Sequence, residues 1–385
     1  MEPPKGIARR IRDIVVGQWF LITLGILIAI SSQVQVPAAQ QRIKQTVITY
    51  LCVSMIFFIT GCTLPSSSLL ENYWRWKLHL FVQLQSFLLS SAVFFAVVSA
   101  AASRRDLIDP GLLLGMIMTG CVPTTISSNV VMTRQSGGNT ALTVVESTLG
   151  NFLGPFLTPP LFYMYTSGKP WYAEVLPADP GGYEQIYRRV FKQLGLSVFL
   201  PLVVGQCVQN LFPKPTKTVF VKYRLAKLSS FCLLVIIWQT YDQAFSSGTF
   251  DSLRPSNVLF TVLGCVGIFV AIFIICLLSA HLWLSKEDAI ACCYCVPAKG
   301  PAMGIPLISV IFIGIKPQLQ SQLQIPLVIY QGLQILAGTI MVPIFRKWLA
   351  QEKPEEEEAR LAPDVDADAE PKTSGSGATT PTAVK

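Results

Sequence analysis

The chain has 385 residues, of which 51% are hydrophobic and only 14% are charged. A soluble domain carries about 25% charged residues, so this composition excludes a soluble globular protein and indicates a bilayer as the surrounding medium. The formal net charge is +8, but the basic residues lie at the ends of apolar runs and not along one stripe, which predicts no nucleic-acid partner.

Taken in chain order, the apolar runs predict an all-α membrane protein with ten transmembrane helices. The predicted spans are residues 17–36, 46–64, 77–102, 110–133, 140–165, 187–212, 222–245, 256–284, 288–314 and 325–348. Residues 1–16 are predicted to form a cytoplasmic N-terminal segment. No small-residue cleavage site follows the first run, so we interpret that run as a membrane span and not as a signal peptide.

The Lys and Arg residues that flank the spans predict the orientation. If the N-terminus is cytoplasmic, the inside segments carry more basic residues than the outside segments, mainly because of the loop at 213–227. Arg104 and Arg105 run against this bias. Because basic residues favour the cytoplasmic side, both termini are predicted to be cytoplasmic.

The last part of the chain has a different composition. Residues 355–358 are four consecutive glutamates, and mainly Asp, Ala, Pro, Ser, Gly and Thr follow them. Such a sequence cannot bury a hydrophobic core, so residues 349–385 are predicted to be a disordered acidic cytoplasmic tail.

Few residues are suited to metal binding or catalysis. The chain has ten Cys, mostly within apolar runs where Cys acts as a small apolar residue, and two His far apart in sequence. A zinc site at the cluster Cys292, Cys293 and Cys295 is the weaker alternative. No HExxH or GxSxG motif is present, so we predict no metal, no cofactor and no enzyme.

A tripeptide occurs twice at equivalent places. Cys121-Val122-Pro123 lies in the fourth predicted span, and Cys295-Val296-Pro297 lies in the ninth. Each is therefore in the fourth span of a five-span half, residues 17–166 and 187–348. Because five is odd, the second half enters the membrane from the opposite side, which predicts two inverted five-helix repeats.

The prolines of these tripeptides predict interrupted helices. Proline removes a backbone hydrogen bond and disturbs the preceding turn, and unsatisfied backbone groups cost several kcal/mol in hydrocarbon. Two helices broken at Pro123 and Pro297 can cross near the bilayer midplane, where their free ends form an ion or substrate site. A plain proline kink in each helix is the alternative.

The residues around both prolines resemble a known family. The stretch from Cys121 to Val130, with Gly137 to Thr143 after it, resembles the fourth-helix crossover motif of the bile acid:sodium symporter family. The segments 294–300, 304–308 and 325–331 resemble the member-7-like branch of solute carrier family 10, including its fungal calcium-homeostasis regulators. The similarity covers residues 15–350.

This resemblance implies both a fold and a function. The fold is a bile acid symporter-like arrangement of a core and a panel domain, with discontinuous helices four and nine crossing at the centre. The function is calcium homeostasis, in which cellular calcium uptake is restrained. The resemblance favours the plasma membrane, with the Golgi and the endoplasmic reticulum as alternatives.

The resemblance also assigns site residues. In sodium-coupled members a Ser-Asn pair of helix four binds sodium, and Ser128 and Asn129 occupy that place in this chain. Hydroxyls of helix five complete the site, and Thr143 and Ser147 match them on one helix face. The alternatives are a helix-capping pair for the first two residues and hydroxyls bonded to their own helix for the others.

The ninth span departs from the family pattern. Sodium-coupled members have a Glu followed four residues later by a Gln, and Cys295 and Lys299 stand at those places. Sodium next to Lys299 would meet like-charge repulsion, so a bound sodium ion is doubtful. The ammonium could replace a sodium ion, exchange a proton for coupling, attract an anionic substrate or pair with Glu146.

Other charged residues in or beside the spans are candidates for function by default. Glu146 adjoins Ser147 and is expected within the site. Asp242 is interpreted as a solvated helix end, and Glu287 and Asp288 are expected at the start of the ninth helix.

Three functions remain open at this point. The first is a secondary carrier that moves a small solute or ion at the crossover and restrains calcium uptake. The second is a sodium- or proton-coupled symporter of an organic anion. The third is a regulator that binds a calcium channel or pump and transports nothing, so that calcium-transport proteins are its partners. The lipid bilayer is a partner in all three cases.

Overall fold

The structure is a computed structural model. It describes residues 19–63, 74–105, 107–176, 188, 191–193, 195–223, 225, 227–312 and 315–351. Within these ranges the ordered elements are helices and no strand is present, so the all-α prediction is confirmed there. The predicted N-terminal segment and the tail beyond residue 351 lie outside the described residues.

The principal helices follow the predicted apolar runs. They are α1 Trp19–Gln33, α2 Ala38–Thr63, α3 Trp76–Ala101, α4 Pro110–Cys121, α5 Ser127–Ser136, α6 Thr140–Thr166, α7 Leu200–Leu211, α8 Lys227–Ser246, α9 Pro255–His281, α10 Lys286–Cys295, α11 Pro301–Ile311 and α12 Pro317–Ala350. Wider π-helical turns occur within α3 at Gln85–Leu89 and before α7 at Gly195–Phe199.

Five helical stretches of the described chain are long and apolar enough to cross a membrane. They are Ala39–Thr63, Trp76–Ala101, Phe191–Leu211, Pro255–His281 and Pro317–Ala350. These stretches support a multi-pass membrane protein. The count of ten spans and the inverted repeat stay predictions.

Helix boundaries are set by residues that the sequence makes visible. Asp109 caps α4 by accepting a hydrogen bond from the Gly111 N–H, and Pro110 takes the first helical position, where no N–H is needed. Asn139 caps α6 in the same way. Gly137, at φ +82°, ends α5 in a left-handed conformation that glycine adopts at little cost.

The helices pack in two groups. In the first group, α2 contacts α7 and α8, and α8 also contacts α1. The second group contains α3 to α6 and α9 to α12, with α12 in contact with α4, α5, α9, α10 and α11. The groups meet where α8 contacts α11 and α12 and where α2 contacts α11.

Proline alone does not interrupt a helix of this protein. Helix α6 contains Pro155, Pro159 and Pro160 and remains continuous. By contrast, the chain leaves the helical conformation between α4 and α5, at residues 122–126, and between α10 and α11, at residues 296–300. We call these two segments the first break and the second break.

The interpretation of Asp242 as a solvated helix end is wrong. Its side chain is fully buried and forms an ion pair with Lys44. It also accepts hydrogen bonds from the Val36 N–H at 2.9 Å and from Gln41 Nε2 at 2.7 Å. A buried carboxylate needs such partners, and the chain supplies them from around the start of α2, far away in sequence.

Candidate functional site

The first break begins where α4 ends at Cys121. Val122 is extended, at φ −74° and ψ 155°, as expected for a residue that precedes proline. Asn151 of α6 donates to the Thr124 carbonyl at 2.8 Å, and Thr158 of α6 donates to the Cys121 carbonyl at 2.9 Å. Helix α6 therefore holds one side of the first break.

The second break is held by α12. The Tyr330 hydroxyl donates to the Pro297 carbonyl at 2.7 Å. Gln334 accepts a hydrogen bond from the Lys299 N–H at 2.7 Å and donates to the Lys299 carbonyl at 2.9 Å. One glutamine side chain thus satisfies both backbone groups of a residue that would otherwise have no partner in the interior.

The two breaks touch each other. The Gly300 N–H donates to the Pro123 carbonyl at 2.9 Å, so the prolines lie on interrupted helices that meet. A Cβ atom at Gly300 would lie 3.0 Å from the Thr124 carbonyl oxygen. Glycine therefore permits the close approach of the two backbones.

Lys299 extends from the second break into the first. Its side chain is fully buried, and its Nζ donates to the carbonyls of Ser86 at 2.6 Å, Gly120 at 3.0 Å and Val122 at 3.1 Å. An ion pair with Glu146 was the alternative expected from the sequence, and it is wrong. The partners of the ammonium are backbone carbonyls of α3 and of the end of α4.

Glu146 instead belongs to a polar cluster between α3 and α6. Its Oε1 lies 2.5 Å from His79 Nδ1, and its Oε2 accepts a hydrogen bond from Gln83 Nε2 at 2.8 Å. The carboxyl group is buried and the imidazole is largely buried. The sequence did not indicate His79 as a partner, because the two residues are 67 positions apart.

The predicted pair Ser128 and Asn129 lies in the first turn of α5. Asn129 Nδ2 donates to Thr124 Oγ1 at 2.8 Å and to the Thr125 carbonyl at 2.7 Å. Ser128 Oγ donates to Thr125 Oγ1 at 3.1 Å. Neither side chain caps the helix, and both bind the preceding break instead.

The predicted residues Thr143, Ser147 and Cys295 lie together where α6 meets α10. Cys295 Sγ is 3.7 Å from Ser147 Oγ and 3.8 Å from the Thr143 carbonyl. The Thr143 hydroxyl donates to Thr133 Oγ1 at 3.0 Å and contacts the carbonyl of Asn139 at 3.1 Å. This group is fully buried, and the sodium role that the resemblance implies for it stays a prediction.

Asp288 links three helices near the start of α10. Ser285 is the capping residue, and Asp288 lies in the first turn, where a negative charge is favourable. Its carboxylate accepts hydrogen bonds from Arg75 at 2.5 Å and from Asn139 at 2.8 Å. The hydrogen bond to Asp288 raises the pKa of the Arg75 guanidinium, which therefore stays protonated.

A cavity of about 280 Å³ lies between the two helix groups. The first group lines it with Trp19, Phe20, Ile56, Phe57, Thr60, Ser229, Ser230 and Leu233. The second group lines it chiefly with the first break, α5 and α12, and the second break contributes Gly300. The polar residues on that wall are Thr124, Thr125, Ser128, Gln135, Asn151, Gln331 and Thr339.

The polar side chains of this wall are uncharged. Gln331 is fully buried, and its Nε2 has no hydrogen-bond partner in the described part of the chain. Helices α5 and α11 both begin at the cavity and have no side-chain cap, so their first N–H groups face this region without a capping acceptor. The Gln331 amide and the two uncapped helix starts are therefore places where this wall offers hydrogen-bond donors without a partner.

Ser128 is the only predicted site residue among those that line the cavity. Sequence reasoning missed Gln331 and Gln334, although two amides three residues apart on an apolar helix share one face and mark a polar contact within the membrane. It also missed Ser229 and Ser230, for which no signal was present.

Comparison with known proteins identifies relatives over most of the chain. The sequence model of the SBF-like CPA transporter family matches residues 18–347. The solute carrier RCH1 of Candida albicans is 35% identical, over 93% of this chain and 95% of that protein. RCH1 of Saccharomyces cerevisiae is 34% identical, with 90% and 87% covered. Sodium/bile acid cotransporter 7-A of Xenopus laevis is 28% identical, with 89% and 95% covered. The family match includes both breaks.

Proposed function

This chain belongs to the SBF-like CPA transporter family, in the branch of the RCH1 carriers and sodium/bile acid cotransporter 7, and we propose that it is a secondary carrier whose solute binds beside the two breaks. The multi-pass membrane protein has, in this proposal, ten spans in two inverted five-helix repeats, with both termini in the cytoplasm. It acts at the plasma membrane and restrains cellular calcium uptake, as the resemblance to fungal calcium-homeostasis regulators implies.

The observation that carries this proposal is the position of the cavity between the two helix groups. The cavity is lined by Ser230 near the start of α8 and by Thr339 in the second half of α12. At the opposite ends of the same helices, Gln243 of α8 donates to Gln320 of α12 at 3.1 Å. The groups are joined at one end and separated at the other, as alternating access requires in one of its states.

Calcium itself does not suit this cavity. Protein sites for Ca²⁺ supply several oxygen ligands that include carboxylates, and no Asp or Glu is among the residues that line the cavity. The effect on calcium uptake is therefore expected to follow from the movement of another solute.

A second candidate is symport of an organic anion, and the donors of the cavity wall favour it. The uncapped starts of α5 and α11 carry the positive ends of their helix dipoles, and the Gln331 amide adds unpartnered donors. An anionic group would satisfy all three. Uptake of radiolabelled taurocholate into proteoliposomes, driven by a sodium or a pH gradient, tests this candidate.

The carrier proposal is tested by filling the cavity. Ser230 lines it, whereas the next residue of α8, Phe231, is 58% exposed on the outer surface. Ser230→Trp should abolish the restraint of calcium uptake because the indole occupies the solute site. Phe231→Trp is the matched control and should retain it. The measurement is accumulation of radioactive calcium in cells that lack the native protein.

The same experiment separates a carrier from a regulator. A regulator that binds a channel or pump has no need of the cavity, so a Ser230→Trp variant with full restraint of calcium uptake would contradict the carrier proposal. Equal surface expression of the two tryptophan variants, measured by immunoblot of membranes, shows that the comparison concerns activity.

A further inference from the structure

The Lys299 ammonium is bound in a way that needs explanation. A lysine charge buried in a membrane protein ordinarily pairs with a carboxylate or faces water, as Lys44 does with Asp242. Lys299 is fully buried, and no acidic residue in the described part of the chain forms an ion pair with it. Its three N–H donors meet three backbone carbonyls, so its hydrogen-bonding capacity is complete.

Each of these carbonyls is released by an irregularity of the backbone. In a regular α-helix the Ser90 N–H would donate to Ser86, but in the π-helical turn of α3 it donates to Gln85 instead. The Gly120 carbonyl belongs to the last turn of α4, where carbonyls lack partners within the helix. The Val122 carbonyl lies beyond the end of that helix. The end of α4 is also the negative end of its dipole, so the three oxygens favour a cation.

We propose that the carbonyls of Ser86, Gly120 and Val122 form a binding site for a monovalent cation, and that the Lys299 ammonium is its covalently attached occupant. The oxygens lie 2.6–3.1 Å from Nζ, which suits the N–H donors of a primary ammonium. Calcium binds oxygen ligands at about 2.3–2.6 Å, so the distances to two of these three oxygens are too long for calcium.

This assignment has a consequence for coupling that rests on the proposed carrier function. The crossover is completed by a charge that the chain carries itself, and Gln334 fixes the Lys299 backbone on both sides. The occupant therefore does not leave during transport, and no free cation is required at this point. The assignment of the cation site does not depend on the carrier function, because it follows from the contacts of Lys299.

The site is tested by removing its occupant and returning it from solution. Lys299→Ala deletes three carbon atoms and the amine, which n-propylammonium replaces. The expected result is a fall of roughly 5–10 °C in the melting midpoint of the purified protein in detergent, with most of the loss restored by millimolar n-propylammonium. The wild-type midpoint should not respond to the same salt.

Two controls separate a cation site from mere filling of space. 1-Propanol has nearly the same shape without the charge, and tetramethylammonium has the charge without N–H donors. Neither compound should restore the melting midpoint of Lys299→Ala. Restoration by 1-propanol to the same extent, or a folded Lys299→Ala protein that ignores n-propylammonium, would overturn the proposal.

A second variant decides the matter if Lys299→Ala cannot be purified with or without the amine. Lys299→Met keeps most of the volume but leaves three buried carbonyls without donors. Its midpoint should fall below that of the wild type and should not respond to any cation. A Lys299→Met protein as stable as the wild type would overturn the proposal. Because these measurements require no transport, their failure would leave the cavity test with Ser230→Trp unaffected.

Discussion

The two breaks begin with the same tripeptide and satisfy their backbone groups differently. The first break, which contains Val122 and Pro123, is bonded to α6 on one side, and carbonyls released at the end of α4 and in the break accept hydrogen bonds from Lys299 of the other break. The second break, after Cys295-Val296-Pro297, is bonded to side chains of α12. Equivalent places in a repeat thus predict equivalent interruptions, but they do not predict which groups compensate for them.

This difference gives the breaks unequal roles. The second break is fixed by its contacts with α12, and it delivers the cation on which the first break depends. The first break keeps Thr124, Thr125 and Ser128 at the cavity wall. We infer that the second break supports the cavity wall and that the first break, with the start of α5, presents three of its polar side chains.

The largest effect on this comparison is expected from Gln334→Leu. The substitution removes the acceptor for the Lys299 N–H and the donor for the Lys299 carbonyl. It therefore leaves two buried backbone groups unsatisfied, at a cost of about 3 kcal/mol in the free energy of unfolding. The measurement is chemical unfolding in detergent micelles, followed by tryptophan fluorescence.

The control for this variant lies one turn earlier on the same helix. Gln331→Leu removes an amide whose Nε2 has no partner among the described residues and whose Oε1 accepts a hydrogen bond from Gln334 Nε2. It keeps both hydrogen bonds between Gln334 and Lys299, so its cost should be only about 1 kcal/mol. If both leucine variants lost the same stability, the bonds between Gln334 and Lys299 would not be what holds the second break.

Much of the fold could be predicted from the sequence because long apolar runs form helices in a bilayer. The interruptions were predicted from Pro123 and Pro297, but α6 is continuous through Pro155. What distinguishes the broken helices is a set of partners for the released groups. Those partners come from other helices, so the sequence can indicate a polar residue such as Gln334 but not which backbone groups it binds.

The site was harder to predict for the same reason. Lys299 was recognised as a buried charge, but its partners are carbonyls, which every residue possesses and no residue type indicates. Asp242 was assigned to solvent because it lies near the end of a predicted span, and its partner Lys44 is 198 positions away in sequence. The role of Glu146 in the site stays a prediction, and its partner His79 is 67 positions away in sequence.

A smaller effect is expected where the breaks touch. A Cβ atom at Gly300 would lie 3.0 Å from the Thr124 carbonyl oxygen and 3.3 Å from the Thr125 Cα. These are backbone atoms that cannot rotate away, so Gly300→Ala should cost about 2 kcal/mol through overpacking. The same unfolding measurement applies, together with calcium accumulation in cells.

Gly332→Ala is the matched control for Gly300→Ala. A Cβ atom there would meet nothing within 4 Å, and alanine is favoured over glycine inside a helix by about 1 kcal/mol. The two alanine variants should therefore change stability in opposite directions. A stabilising Gly300→Ala would mean that the breaks are separated more widely than their hydrogen bond at 2.9 Å implies.

The smallest effect is expected from Tyr330→Phe. This variant tests whether each hydrogen bond between α12 and the second break contributes to stability independently. The substitution removes one donor, from a hydroxyl 2.7 Å from the Pro297 carbonyl. Because proline has no N–H, this variant leaves one acceptor unsatisfied, the Pro297 carbonyl. Gln334→Leu leaves two groups unsatisfied, the N–H and the carbonyl of Lys299. The expected cost is about 1 kcal/mol in the free energy of unfolding.

The control is Tyr165→Phe, at a half-buried hydroxyl 3.0 Å from Ser91 Oγ, which should cost less. If Tyr330→Phe cost as much as Gln334→Leu, the second break would act as one cooperative unit with α12, and Gln334 would not be its main support.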